Sequence, residues 1–170
     1  MSEKKTINAD AENANANANE NNEMKVPFGI VTQYVKDQSF ENPNPVEAFL
    51  DTHETQPSIS IDISANAKKV RDGLFEVSLD LTAKGFIDDK KPLFIAELTY
   101  GAIVAVDEAQ VPAESMAPLL MVHFPTLLFP FARAIIADMT RNGGFPALML
   151  NPIDFGAMYQ AQQQNQTAAA

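Results

Sequence analysis

The chain has 170 residues, 22 acidic against 12 basic side chains, a formal net charge of −10, and neither Cys nor Trp. That length allows one domain of roughly 100–150 residues with its own apolar core, plus tails, while the lack of Cys excludes disulfides, thiol nucleophiles, iron–sulfur clusters and Cys-ligated zinc. A sequence pI near 4.5 argues against a phosphate backbone as principal partner, since such binding draws on clustered Lys and Arg. The exclusions point to an acidic protein of a reducing compartment and favour a non-enzymatic role.

Residues 1–25 carry no apolar run, so they are not a secretory signal. Positions 13–22 read NANANANENN, too polar to offset the entropy of ordering, and predict a disordered leader. The folded unit is expected at 26–160, with a Gln/Ala/Asn-rich disordered tail over 161–170. Within the unit, Phe28 to Phe40 alternates loosely, with Phe28, Ile30, Tyr34 and Phe40 on one parity and Gln33, Asp37, Ser39 and Glu41 on the other. Period two is that of a half-buried strand. After a loop at Asn42-Pro43-Asn44-Pro45, stricter alternation returns over Ser58–Ser64 and Phe75–Thr82. A fourth run, Leu93–Tyr100, follows an Asp88-Asp89-Lys90-Lys91 turn and sets Phe94, Ala96, Leu98 and Tyr100 against Ile95, Glu97 and Thr99. Four strands joined by loops short enough for hairpins predict an antiparallel sheet with one dry and one wet face. Residues 26–108 hold 14 acids and 7 bases, so the wet face should be negative, with Asp62, Glu76, Asp80 and Glu97 on its polar parity.

Past Val111 the period becomes helical. A short helix is expected over Glu114–Phe124 and a longer one at about 129–141, with Pro130 in its first turn and Asn142-Gly143-Gly144 as a left-handed stop. A last helix is expected at about 153–163, with Phe155, Met158, Tyr159 and Gln162 spaced by three and four. The stretch Ala117–Ala132 is apolar but carries Pro118, Pro125 and Pro130, is shorter than the ~20 residues needed to span a bilayer, and meets Arg133 at once, so it reads as a buried or interface segment. A helix apolar nearly all round needs partners on several sides, which predicts a homo-oligomer with buried helices and outward sheets. The terminal helix, short and ending in polar residues, is suited to cover a groove rather than seal a core.

No phosphate-binding, dinucleotide, metalloprotease, nucleophile-elbow or EF-hand motif occurs in the chain. His123 reads as a core or interface histidine, and His53 lies in an acidic loop with Asp51 and Glu54. No metal site or cofactor is expected.

Three stretches are more specific. Phe124-Pro125-Thr126-Leu127-Leu128-Phe129-Pro130-Phe131-Ala132-Arg133, then Gly143-Gly144-Phe145-Pro146, then Leu150-Asn151-Pro152-Ile153-Asp154-Phe155 resemble the signature of SecB, the bacterial protein-export chaperone family. Tyr100-Gly101-Ala102-Ile103 is similar to the end of its fourth strand, and Lys36-Asp37-Gln38-Ser39-Phe40-Glu41-Asn42-Pro43 to its first-strand motif, with Ala102 standing where a second Gly is expected and a longer leader than usual. The resemblance implies an α+β fold, a four-stranded antiparallel sheet with two C-terminal helices packed on one face, assembled as a dimer of dimers. It also implies a cytoplasmic holdase that keeps unfolded preproteins translocation-competent and delivers them to the SecA translocation ATPase. Residue by residue, it puts SecA docking on Asp37, Glu41, Ile95 and Glu97, control of tetramer assembly on Ala96, Leu98 and Tyr100, and a client groove between Ile59, Ile61 and Ile63 and Phe155, Met158 and Tyr159. Two other readings stay open: a related holdase linked to toxin–antitoxin systems, and a small-ligand carrier or enzyme using the same groove.

Overall fold

A computed structural model describes residues 27–50, 57–87 and 91–168. The leader, His53 and most of the Asp88-Asp89-Lys90-Lys91 turn lie outside the described residues. The elements are β1 (Phe28–Glu41), α1 (Pro45–Leu50), β2 (Ser58–Arg71), β3 (Leu74–Phe86), β4 (Pro92–Val106), α2 (Ala113–Pro118), a π-helical turn (Leu119–His123), α3 (Phe124–Asn142) and α4 (Phe155–Ala168).

The four strands make one antiparallel sheet, as the alternation predicts, but in the order β1-β4-β3-β2. Strands β2, β3 and β4 follow one another as neighbours, whereas β1 pairs with β4 at the far side, so the connection through the Asn-Pro segment and α1 crosses the sheet instead of making a hairpin. Alternation is cleanest in β3, where Phe75, Val77, Leu79, Leu81 and Ala83 are buried and their neighbours half-exposed. This strand is central and is covered on one face only. At the β2–β3 turn Gly73 has φ +68, a conformation that side chains rarely adopt, and its carbonyl accepts from the Val106 N–H at 2.8 Å. Lys69 and Glu108 close the same corner at 2.8 Å.

Strand β1 departs from its predicted period. Its register with β4 slips between Ile30 and Thr32 and again between Val35 and Asp37, leaving Val31 and Lys36 as bulged residues. Each slip of one residue inverts the facing of everything that follows. Tyr34, expected on the dry parity with Phe28 and Ile30, therefore faces away from the helices, and Gln33 takes the helix side, accepting from the Tyr100 hydroxyl at 3.2 Å. The second bulge restores the original parity, so Phe40 returns to the dry side and Asp37, Ser39 and Glu41 stay on the wet one.

The helical region is also more continuous than predicted. From Ala113 to Asn142 the chain winds as one helical run of 30 residues. The π turn lets it pass Pro125: the Phe124 N–H reaches back five residues to the Leu119 carbonyl, which opens the turn where a proline ring would otherwise strike the carbonyl four residues earlier. The Thr126 hydroxyl donates to the Val122 carbonyl at 2.7 Å. Although long and apolar enough to cross a membrane, this run lays Phe124, Leu128, Ala132 and Ile136 onto β3 and β4, where all four are buried. His123, expected in the core or an interface, is exposed on the subunit, edge-on to Phe28 at 5.3 Å.

The left-handed stop falls on Gly144, at φ +90. The Gly144 N–H donates to the Arg141 carbonyl and the Phe145 N–H to the Thr140 carbonyl, the paired bonds of a Schellman ending. Thr140, fully buried, also accepts from the Leu148 N–H at 2.9 Å and so ties the returning chain to α3. Helix α4 continues to Ala168, through residues expected to form a disordered tail. Gln and Ala are good helix formers, so low complexity there does not oppose the helix already started at Phe155.

Candidate functional site

The sheet face turned away from α3 is built from the polar parity of four strands. Across β1, β4, β3 and β2 its rows read Glu41, Ile95, Lys84 and Ser60; then Ser39, Glu97, Thr82 and Asp62; then Asp37, Thr99, Asp80 and Ser64. Asp37, Glu41, Ile95 and Glu97 thus lie on two adjacent strands and one face, the three acids exposed and Ile95 half-buried among them. Ser39 donates to Glu97 at 3.3 Å. Asp80 accepts from the Thr99 hydroxyl and the Asn66 amide, each at 2.7 Å, neutral donors that fix the carboxylate without cancelling its charge.

The other end of the same face is closed differently. The Tyr34 hydroxyl donates to Glu76 at 2.5 Å, and Lys36 reaches the same carboxylate oxygen at 3.0 Å. These two bonds hold Glu76 below the usual carboxylate range, while burial, followed by the bond and charge of Glu76, pushes Tyr34 up to about 12. A phenol kept protonated by the fold stabilises it fully below the unfolded value of 10.0, and that stabilisation disappears as pH climbs toward about 12. The urea midpoint of Tyr34→Phe should accordingly fall short of the parent's at about pH 9 and meet it near pH 12. A gap that persists to the higher pH would count against the bond.

On the helix side, α4 packs beside the π turn, which also meets β2. Between them runs a groove of about 330 Å³, walled by Phe155, Met158 and Tyr159 from α4, Met121 from the π turn, and Ser64 and Ala65 from β2. The three predicted α4 residues come together there. Ile63 is half-buried against the core, whereas Ile59 and Ile61 lie on the same strand face further along, uncovered and 41% and 43% exposed. Ala96, Leu98 and Tyr100 are all buried beneath α3 within the subunit. Tyr100 stacks on Phe131, whose ring is 51% exposed on the outer side of α3.

One apolar cluster escaped the sequence reading. Phe145 packs against Phe94 at 5.0 Å, Phe49 at 5.1 Å and Phe40 at 6.4 Å, with Phe49 and Leu50 of α1 left exposed. A Cβ on Gly143 would lie within 2.3 Å of the Phe40 ring, so this glycine admits the cluster to the helix end. The Gly-Gly-Phe-Pro run was its sequence signal, read as a helix stop and as part of the family likeness but not as a packing site.

The fold is α+β, one sheet that presents an acidic face on one side and an apolar groove on the other. The model of the family "SecB: Preprotein translocase subunit SecB" matches residues 20–166. The protein-export protein SecB of Afipia carboxidovorans is 46% identical over 145 residues, covering 82% of this chain and 88% of that one, and the SecB of Parvibaculum lavamentivorans is 40% identical over 171 residues, covering 100% and 97%. The chain belongs to the SecB family, the chaperones of protein export. Among solved structures, a SecB-like chaperone of Mycobacterium tuberculosis in complex with a ChAD peptide from the HigA1 antitoxin superposes with a TM-score of 0.60 at 11% identity, over 75% of this chain and 91% of that one, a likeness of fold.

Proposed function

We propose that this chain is a cytoplasmic holdase that binds unfolded preproteins, keeps them competent for translocation and delivers them to the SecA ATPase, working as a homotetramer built as a dimer of dimers without metal or cofactor. The observation that carries the reading is the placement of Asp37, Glu41, Ile95 and Glu97 together on an outward sheet face, with the apolar groove on the opposite side. A client and a motor can then be bound at once. Export is favoured over a toxin–antitoxin role because the relatives at 40–46% identity are export proteins.

Clients are held by the groove of Phe155, Met158 and Tyr159, continued along the strip of Ile63, Ile61 and Ile59. Such a surface needs only exposed apolar groups in the client, so it selects the unfolded state by mass action. Several weak grooves on one tetramer raise the effective concentration for a chain that spans them. Purified protein should slow refolding of an unfolded preprotein at stoichiometric amounts. Unchanged refolding in the presence of folded tetramer would refute the reading.

The acidic face would steer a basic segment of SecA toward it. Glu97→Lys is expected to weaken SecA binding at least about tenfold at low salt and less at high salt, with client capture unchanged. Calorimetric titration checks this, and parent affinity in the variant would remove Glu97 from the docking site.

A further inference from the structure

The bulges of β1 decide which of its side chains share a face with Glu97, and two side-chain bonds converge beside the second one. Without the slip at Lys36, the parity set by Gln33 and Val35 would turn Asp37 toward the helices and Phe40 toward water. Tyr34 and Lys36, just before and at the bulge, both reach Glu76 of β3, with β4 lying between. The path over β4 is open because Gly101 pairs with Tyr34: a Cβ there would sit 3.1 Å from the phenol ring. Neither bond belongs to the strand ladder, and both end on one carboxylate oxygen.

We propose that Tyr34 and Glu76 are positioning residues for the docking face: bridging over β4, they hold the Lys36 bulge and so keep Asp37 and Glu41 on the side of the sheet that carries Glu97. The assignment rests on the docking reading above, and it adds two residues that need not touch SecA at all. Tyr34 makes the essential bond, since the phenol is a fixed-length arm, whereas an exposed lysine pair contributes little by itself.

The test uses the full-length tetramer. Tyr34→Phe should speed amide exchange over residues 35–38, weaken SecA binding about fivefold, the loss expected for one hydrogen bond, and leave client capture unchanged. In an Asp37→Asn/Glu41→Gln background Tyr34→Phe should bring no further loss of SecA affinity, because its effect passes through those two carboxylates. Glu76→Gln, which keeps an acceptor for the phenol, should stay within about twofold of the parent. Unchanged exchange over residues 35–38, or the same fractional loss of affinity with and without the two carboxylates, would overturn the proposal. Faster exchange in Tyr34→Phe combined with parent affinity in Asp37→Asn/Glu41→Gln would instead sink the docking reading and support the clamp as the device that holds the strand.

Discussion

Leu98→Asp should abolish the cooperative fold of the subunit, and not merely its assembly. Leu98 is 2% exposed, sits opposite Leu81 in the register and lies beneath α3. Removing its side chain leaves a cavity, a loss of about 2–5 kcal/mol for Leu→Ala in well-packed cores. The introduced carboxylate must in addition be buried without a partner or take up a proton, several kcal/mol more. The sum is comparable to the roughly 5–15 kcal/mol that holds a typical domain together. Circular dichroism should therefore lose its transition on heating, and Leu98→Ala should keep one with a lower midpoint. A Leu98→Asp protein with parent-like dichroism and reduced mass would show that the side chain acts on assembly alone. The family likeness links this position with tetramer control, and the geometry supplies a route, since β4 is the seat on which the outer face of α3 is presented.

Much of this architecture is readable from local pattern, and the exceptions have identifiable causes. Strand β3 alternates strictly, and β4 does so over Ile95–Thr99, because each is covered on one face by α3, so parity alone finds Val77, Leu79, Ala96 and Leu98. In β1 parity succeeds for Asp37, Ser39 and Glu41 only because two bulges cancel; between them, at Gln33 and Tyr34, it fails. Nothing local marks a bulge when the flanking residues are neither Gly nor Pro. Strand order was equally hidden, since hairpin logic favours β1 beside β2, and the pairing of β1 with β4 depends on contacts far apart in sequence. The α4 wall of the groove shows in the spacing of Phe155, Met158 and Tyr159. Its β2 wall does not, because which part of an edge strand faces α4 is decided by how that helix packs beside Met121.

Phe131→Glu should have the opposite outcome to Leu98→Asp: a folded subunit of smaller assembly. The outer side of α3 exposes Leu127 and Phe131, 44% and 51% accessible, while the inner side buries Leu128, Ala132 and Ile136. A change at Phe131 spares those contacts and forfeits the stacking on Tyr100, which is buried below it. In a tetramer closed by two-fold symmetry the same patch of one dimer meets its copy on the other, so the new carboxylates are brought toward one another and out of water. Burying an unpaired charge costs about 3–5 kcal/mol per site, enough to raise the dimer–dimer dissociation constant by more than about a hundredfold. Native mass spectrometry should then find dimers at concentrations where the parent is tetrameric, with dichroism unchanged. Client capture should weaken along with it, because fewer grooves remain on one particle, whereas SecA should still bind the acidic face of each dimer. A tetramer of parent stability would place the dimer–dimer contact elsewhere than on this side of α3.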